Sequence, residues 1–228
     1  MTYSKIHEGI FQVRPSRFIA EVLIGGQVER CHVKNTGRCA EILLPDTRVY
    51  VNQSDNPNRT TKYDLVAAYK GDRLISIDSQ APNIAFREYL QTGVLIEGAT
   101  LIKPEFKRGG SRFDFYVEVG DRKILIEVKG VTLEQNGIAL FPDAPTQHGV
   151  KHLHHLIAAT NEGFEAYVVF VVQMSDEGIS HFAPNYAMHQ EFGDALADAQ
   201  AAGVKIIAFD CTVTPNSMTI NNPMEVRI

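Results

Sequence analysis

The sequence has few cysteines, no long apolar run and no apolar leader, and each absence excludes a class of protein. Cys31, Cys39 and Cys211 form no CxxC pair and no even-numbered set, which argues against a disulfide scaffold or a cysteine zinc site and is typical of reduced cytosolic thiols. The longest apolar run, residues 166–172, has seven residues, and a bilayer span needs about 20. The first residues, MTYSKIHEGIF, lack the apolar core of a signal peptide. We therefore expect a cytoplasmic protein with no membrane partner.

Charge is unevenly distributed along the chain. The 228 residues are 44% hydrophobic and carry a net charge of −5, so the length suits one large or two small domains with a packed core. Residues 1–80 have a net charge of +2, whereas residues 81–228 have a net charge of −7. Nucleic-acid contacts are therefore expected from the N-terminal part and from a local basic cluster, for which a solubilising loop is the alternative. The cluster consists of Lys103, Lys107, Arg108 and Arg112.

The first 80 residues predict a small β-barrel. Short segments rich in β-branched and aromatic residues are separated by turn signals such as Gly25-Gly26 and Gly71-Asp72. Five or six strands of this length are typical of a barrel. A helix over residues 84–91, with Asn83 as its N-cap and Gly93 just past its end, opens a second domain. The predicted boundaries are 1–80 and 81–228.

The second domain predicts a mixed sheet covered by helices. Residues 113–119 and 124–129 flank a turn at Gly120-Asp121 and predict a β-hairpin. Helices are expected near residues 148–160 and 190–201, and the continuously apolar segments 166–173 and 204–209 predict buried parallel strands. The fold class is therefore α/β, or α+β overall, with the hairpin at one side of the sheet.

The hairpin carries residues that suit metal-dependent chemistry. If its turn is centred after Asp121, Asp114 lies opposite Lys129, and Asp114, Glu127 and Lys129 share one face. Two carboxylates at such positions can hold one hard divalent cation, Mg²⁺ or Mn²⁺, while Lys129 orients a water or neutralises the transition state. The alternative is a solvated face with a cross-strand Asp–Lys pair. A slip of one residue would separate the carboxylates.

Six short motifs occur together along the chain: RPSRF at 14–18, CHVKNTGR at 31–38, APN at 81–83, EVKGVTL at 127–133, FPDA at 141–144 and KHL at 151–153. As a set they resemble the sugar fermentation stimulation protein A family, and the likeness extends over almost the whole chain. The resemblance implies an OB-like barrel joined to a restriction-endonuclease-like domain of the PD-(D/E)xK type. It also implies DNA as the partner and a role in regulating maltose and related sugar genes.

The resemblance assigns Asp114, Glu127 and Lys129 to the nuclease motif as catalytic residues. It also suggests Asp143 as a third metal carboxylate, for which a turn residue after proline is the alternative. Where the family has Arg-Gly before the Lys-His pair, this chain has His148-Gly149. A phosphate contact by that arginine is therefore pH-dependent here or lost.

Two further groups are candidate DNA contacts, beside Lys107, Arg108 and Arg112. His148, Lys151, His152 and His155 follow helical spacing and form one stripe, which faces a phosphate backbone or packs as a half-buried helix face. In the barrel, cations and short hydrogen-bonding side chains near a strand end suit phosphate contacts. These are Arg17, His32, Asn35, Thr36 and Arg38. The alternative for residues 35–37 is a turn in which Gly37 supplies a positive φ.

The function predicted from these features is Mg²⁺-dependent endonucleolytic cleavage of DNA, with double-stranded DNA favoured. Two other functions remain open. One is a DNA-binding transcriptional regulator of sugar metabolism whose nuclease-like domain is only a scaffold. The other is a protein-interaction module without DNA affinity. The sequence indicates neither a DNA sequence preference nor an oligomeric state.

Overall fold

The computed structural model describes residues 1–35 and 37–228. Within these residues the chain forms three β-sheets and three α-helices. The helices are α1 (Ala81–Gln91), α2 (Gln147–Asn161) and α3 (Gln190–Ala201). The strands are β1 (Ile6–Ser16), β2 (Ile19–Ile24), β3 (Gln27–Val33), β4 (Arg48–Gln53), β5 (Tyr63–Lys70), β6 (Arg73–Ser76), β7 (Leu101–Arg108), β8 (Ser111–Val119), β9 (Arg122–Val131), β10 (Leu133–Gln135), β11 (Ile138–Phe141), β12 (Glu165–Val172), β13 (His181–Pro184), β14 (Lys205–Thr214) and β15 (Ser217–Met224).

The first five strands close into a barrel. Hydrogen-bonded neighbours run in the order β3-β2-β1-β4-β5, and β3 pairs with β5 in parallel, so the two ends of this set meet. Closure pairs the strand edges that an open sheet would expose, and side chains such as Val22, Val33 and Leu65 are fully buried. The predicted OB-like barrel is confirmed. Strand β6 extends it by pairing with β5.

A mixed sheet forms the second part, in the strand order β15-β14-β12-β9-β8-β7. Strand β12 is parallel to both β9 and β14, whereas β7, β8 and β9 form an antiparallel meander. Helix α1 packs on one face, where Phe86 meets Phe115. Helices α2 and α3 pack on the other face, where Leu153 and Leu196 share a cluster with Phe170. The predicted α/β fold class is confirmed.

The predicted hairpin register is wrong by two residues. Val119 pairs with Arg122, so the turn consists of Gly120 and Asp121. Gly120 has a φ of +56°, a conformation that glycine adopts without steric cost. Because side chains alternate with a period of two, an even shift leaves the faces unchanged. The prediction that Asp114 shares a face with the two charged residues of β9 therefore survives the wrong register.

Helix α1 begins earlier than predicted. It starts at Ala81 with Pro82 in its first turn. Proline is tolerated there because a backbone N–H in the first turn would have no intrahelical acceptor. The N-cap is Gln80, so the predicted N-cap role of Asn83 is wrong. Asn83 lies inside the helix, where its side chain is available for another partner. Gly93 follows the end of the helix with a φ of +75°, as predicted.

Strand β7 carries most of the basic cluster at the edge of the sheet. It pairs antiparallel with β8, and Lys107 lies opposite Arg112. The cluster therefore lies on strands and not on the loop that the alternative interpretation expected. Because opposite side chains share a face, Lys107 and Arg112 place two positive charges side by side.

The barrel and the mixed sheet share one core and a buried polar joint. Gln173, 1% exposed, follows β12 and donates from Nε2 to the carbonyl oxygens of Ser76 at 2.9 Å and Asp78 at 3.2 Å. The Ser76 amide donates back to the Gln173 carbonyl at 3.0 Å. Gly130 leaves room for this side chain, because a β-carbon there would collide with Gln173 Oε1 and with Pro82. The joint fixes the end of β6 against the end of β12.

The three cysteines are buried with free thiols. Across residues 1–35 and 37–228, each helix is too short or too polar to cross a bilayer.

Replacing Gln173 with leucine tests the polar joint. We expect Gln173→Leu to lower the free energy of unfolding by about 1–3 kcal/mol, because two buried carbonyls lose a donor and gain no partner. Urea unfolding followed by circular dichroism measures this. Gln91→Leu, at the exposed end of α1, is the matched control with an expected change under about 0.5 kcal/mol. Equal stability of the two variants would contradict the assigned role.

Candidate metal centre and nucleic-acid interface

One cleft gathers the residues that the sequence singles out for metal-dependent chemistry. Asp114, Glu127 and Lys129 line it together, and the cleft has a volume of about 700 Å³. Strands β8 and β9 form its floor, and the first turns of α2 form one wall. The four residues of the helical stripe also line this cleft: His148, Lys151, His152 and His155.

Glu127 is a buried carboxylate with one oxygen paired and one oxygen without a partner. Its side chain is 4% exposed, and Oε1 accepts hydrogen bonds from Lys129 Nζ at 2.6 Å and from His152 Nδ1. Burial alone raises the pKa of Glu127, but the hydrogen bond from His152 and the charge of Lys129 outweigh burial and lower the pKa below its usual value. Oε2 is buried and has no hydrogen-bond partner among the described residues.

Asp114 is held in place by two donors. Oδ1 accepts from Asn83 Nδ2 at 2.9 Å, and Oδ2 accepts from the backbone N–H of Val128 at 2.8 Å. The backbone pairing of β8 with β9 begins at Phe115, so the Asp114 carboxylate takes the Val128 amide that the ladder leaves free. Burial, followed by the negative charge of Glu127, raises the pKa of Asp114 to about 6.

The donor set fits a hard divalent cation. Two carboxylates in one cleft, with waters completing the coordination, are a usual arrangement for Mg²⁺. The unpartnered Oε2 of Glu127 is a buried acceptor that a cation would satisfy. Within the part of the chain that the structure describes, no three His, Cys, Asp or Glu side chains are arranged to hold a metal. Asp114 and Glu127 are the two carboxylates among the described lining residues of this cleft.

Asp143 is not brought to these two carboxylates. It lines the neighbouring cleft between the barrel and the 141–146 loop, and its Oδ2 occupies the space that a β-carbon on Gly37 would need. The absence of a side chain at Gly37 therefore allows the close approach of Asp143.

The helical stripe faces the cleft, and His148 does not reproduce an arginine. The ring centroids of His148 and His152 lie 4.0 Å apart, and His155 Nδ1 contacts Ser111 Oγ. Partial burial, followed by the charges of His152 and Lys129, lowers the pKa of His148. Its ring is therefore largely neutral at neutral pH, and a fixed positive charge at this position is lost.

The basic residues of the β7–β8 hairpin differ in their surroundings. Arg112 lines the cleft with its side chain 63% exposed, and Lys107 lies opposite it. Arg108 makes contacts within the chain: its guanidinium pairs with Glu162 and lies 4.5 Å from the centroid of the Phe164 ring. Arg112 and Lys107 are thus both exposed, with Arg112 Nη1 3.9 Å from Glu105 Oε1, whereas Arg108 is engaged with Glu162 and Phe164.

The barrel residues that were predicted to contact DNA also differ in their surroundings. Arg17 and Arg38 line one surface cleft. His32 pairs with the buried Asp64 at 3.2 Å. Asn35 is buried, with its amide donating to Ile77 O at 3.0 Å and accepting from the amide of the next glycine at 2.7 Å. Both ends of the Asn35 amide are therefore engaged within the chain, the oxygen in the turn and the nitrogen with Ile77. Thr36 lies outside the described residues.

Two positioning residues were not assigned from the sequence. Arg14 donates to four backbone oxygens, those of Arg17 at 2.6 Å, Asn35 at 2.8 Å, Gly37 at 3.0 Å and Arg38 at 2.7 Å. It thereby fixes the backbone that presents the two arginines of the surface cleft. Asn83, which donates to Asp114, is the other. Arg14 lies within the RPSRF motif and Asn83 within the APN motif, but most of their hydrogen-bond partners are distant in sequence.

The pKa of Asp114 reports on the neighbouring carboxylate. We expect Glu127→Gln to lower the pKa of Asp114 from about 6, because the change removes a negative charge and leaves Lys129 as a stabilising cation. A ¹³C carboxyl titration by NMR without metal measures it. Asp121→Asn, at the exposed hairpin turn, is the control and leaves the value unchanged. An unchanged or higher pKa in Glu127→Gln would contradict the assigned coupling.

The sequence and the whole structure are similar to those of one group of proteins. The family described as "Sugar fermentation stimulation protein RE domain" matches residues 80–217, and "SfsA N-terminal OB domain" matches residues 13–77. Two proteins named sugar fermentation stimulation protein homolog are similar over nearly their entire lengths. The one from Clostridium beijerinckii is 53% identical, covering 99% of each chain, and the one from Desulfitobacterium hafniense is 54% identical, covering 100% of this chain and 99% of the relative.

The fold is similar to a solved structure of the same group. The SfsA of Pyrococcus furiosus, solved in complex with Ca²⁺, matches with a TM-score of 0.90 at 28% identity, covering 100% of this chain and 98% of that chain. Family matches to both parts of the chain, together with relatives above 50% identity, agree with this likeness. The chain belongs to the sugar fermentation stimulation protein (SfsA) family.

Proposed function

We propose that this protein is a divalent-metal-dependent nuclease that acts on DNA. The observation that carries the proposal is the pair Asp114 and Glu127 in one cleft, with Glu127 Oε2 buried and unpartnered and Lys129 beside it. The Ca²⁺ complex of the Pyrococcus furiosus relative supports a cation site in this fold. The OB-type barrel and the positive charges at the rim of the cleft support a nucleic-acid substrate.

In this proposal each residue has a distinct task. Asp114 and Glu127 would hold Mg²⁺ or Mn²⁺, which when bound polarises a phosphate oxygen and lowers the pKa of a bound water. Lys129 keeps a positive charge 2.6 Å from Glu127 Oε1, where it stabilises charge that develops on the phosphate. His152 fixes the Glu127 carboxylate, and Asn83 fixes the Asp114 carboxylate. Positioned side chains of this kind lower the cost of reaching the reactive geometry.

Contacts to the DNA backbone come from the rim of the same cleft. Arg112 and Lys151 line it, and Lys107 lies next to Arg112 across the hairpin. These cations hold phosphates without reading base sequence. The rim therefore supports binding of DNA of many sequences, with an affinity that falls as salt is raised.

Metal binding and DNA cleavage are tested in the same set of variants. Calorimetry with Ca²⁺ is expected to show binding by the wild type and at least about tenfold weaker binding by Asp114→Ala and Glu127→Ala. Lys129→Ala is expected to keep metal binding but to cut DNA at least about a hundredfold more slowly with Mg²⁺ or Mn²⁺, because it lacks the stabilising charge. Asp121→Ala, an exposed carboxylate outside the cleft, is the matched control.

Asp143→Asn separates the two-ligand site from a three-ligand site. The placement of Asp143 in the neighbouring cleft leads us to expect Ca²⁺ affinity within about twofold of the wild type. Cleavage that persists unchanged in Asp114→Ala and Lys129→Ala would contradict the nuclease proposal. Salt-sensitive DNA binding with neither divalent binding nor cleavage would instead favour the regulator.

A further inference from the structure

Three neighbouring clefts, each of which shares lining residues with the next, follow one path along the barrel and the mixed sheet. The first is the cleft of Asp114 and Glu127. The second, about 470 Å³, lies between the barrel and the 141–146 loop and shares Ser79 and His148 with the first. The third, about 500 Å³, lies on the barrel and shares Arg17 with the second. We call this path the interdomain groove.

The cations at the two ends of the interdomain groove suit the phosphates of a chain, and Asp143 is the carboxylate among the described lining residues of the middle cleft. The described lining of the third cleft contains arginines and no carboxylate, with Arg17 and Arg38 both exposed. At the other end, Arg112 and Lys151 line the first cleft beside the two carboxylates. Positive charge therefore lies at both ends of the groove. A polyanion that bridges the ends would neutralise them simultaneously.

The backbone that presents the third cleft is held rigidly. The Arg14 guanidinium donates to the carbonyl oxygens of both Arg17 and Arg38, at 2.6 and 2.7 Å. The polar joint at Gln173, which lines the second cleft, fixes the barrel against the sheet. Because neither end moves freely, the distance from the two arginines to Asp114 and Glu127 is set by the fold. The groove is a preformed path.

The size of the groove indicates a single strand. Clefts of 470 to 700 Å³ have the volume of a drug-sized ligand, which corresponds to about one or two nucleotides each. The three clefts together would hold roughly three to six nucleotides, which overlaps the site sizes of about 4–16 nucleotides per OB fold. A duplex would have to place its second strand outside these clefts.

We propose that the interdomain groove binds one single strand of nucleic acid, which runs from Arg17 and Arg38 on the barrel, past Ser79 and His148, to Asp114 and Glu127. The proposal rests on the proposed nuclease function and names its substrate as single-stranded. Bonds are cut a fixed number of nucleotides from the segment that the barrel holds. Since the groove contacts phosphates, binding depends on salt and little on base sequence.

Fluorescence anisotropy in EDTA tests the strand form and the barrel end of the groove. The probes are labelled 12-nucleotide single-stranded DNA, single-stranded RNA of the same sequence and the blunt DNA duplex, from 50 to 200 mM salt. The single strand that binds more tightly, DNA or RNA, is expected to bind at least tenfold more tightly than the duplex. Which of the two it is shows whether the groove prefers deoxyribose or ribose. Arg17→Ala and Arg38→Ala are each expected to weaken it about fivefold and to reduce the salt slope by about 0.7. Arg30→Ala, an exposed arginine of β3 outside the groove, is the matched control.

Ser79 tests the continuity of the groove, because it lies where the first two clefts meet. Ser79→Phe is expected to weaken binding of the 12-nucleotide strand at least tenfold by filling the groove, with Ca²⁺ binding retained. Ser79→Ala removes the hydroxyl contact with Lys34 O without filling the groove, and it is expected to bind like the wild type. Thermal unfolding checks that the variants are folded.

The groove and the nuclease proposal fail in different ways. Equal or tighter duplex binding, no single-strand binding at 50 mM salt, or equal losses in Arg17→Ala, Arg38→Ala and Arg30→Ala would overturn the groove. Equal loss of binding in Ser79→Phe and Ser79→Ala would also overturn it. Groove-dependent strand binding without divalent binding or cleavage would support the groove and count against the nuclease function on which its substrate role rests.

Discussion

The buried charge of Glu127 is the constraint around which the site is built. A carboxylate that is 4% exposed costs several kcal/mol unless it is paired and hydrogen-bonded. Lys129 supplies one partner from the same strand, since residues two apart share a face, and His152 supplies the other from α2. The docking of α2 is thus coupled to the charge on β9. Only one oxygen is compensated in this way, and the second has no hydrogen-bond partner within residues 1–35 and 37–228.

Asp114 adds a second carboxylate that the metal-free fold accommodates poorly at neutral pH. Its pKa is raised from 3.8 to about 6, so between these values the folded protein binds more protons than the unfolded chain. Asp114 therefore contributes stability at low pH that is lost as the pH rises through this window. A divalent cation beside both carboxylates would offset the repulsion. The cost in stability and the suitability for a metal thus have the same origin.

The alternation of side chains along the strands was enough to predict that the two carboxylates lie together, but it could not predict contacts between distant segments. Alternation placed Asp114 and Glu127 on one face even though the turn lies at Gly120 and Asp121, because only an odd shift changes faces. The helical spacing of the stripe on α2 likewise placed its members together. By contrast, the positions of Asp143 and Arg14 depend on contacts between distant segments. Local pattern does not encode such contacts. The short sheet β10-β11-β13 was missed for the same reason.

The hydrogen bonds of Gln173 fix the barrel against the mixed sheet, so the cleft of Asp114 and Glu127 and the barrel surface keep one relative position. We propose above all that Asp114 and Glu127 hold one divalent cation. A crystal soaked in Mn²⁺ and measured at the manganese absorption edge tests it most directly. The account predicts one anomalous difference peak within about 2.0–2.4 Å of a carboxylate oxygen of each residue. No peak there, or a peak only at Asp143 in the neighbouring cleft, would contradict it.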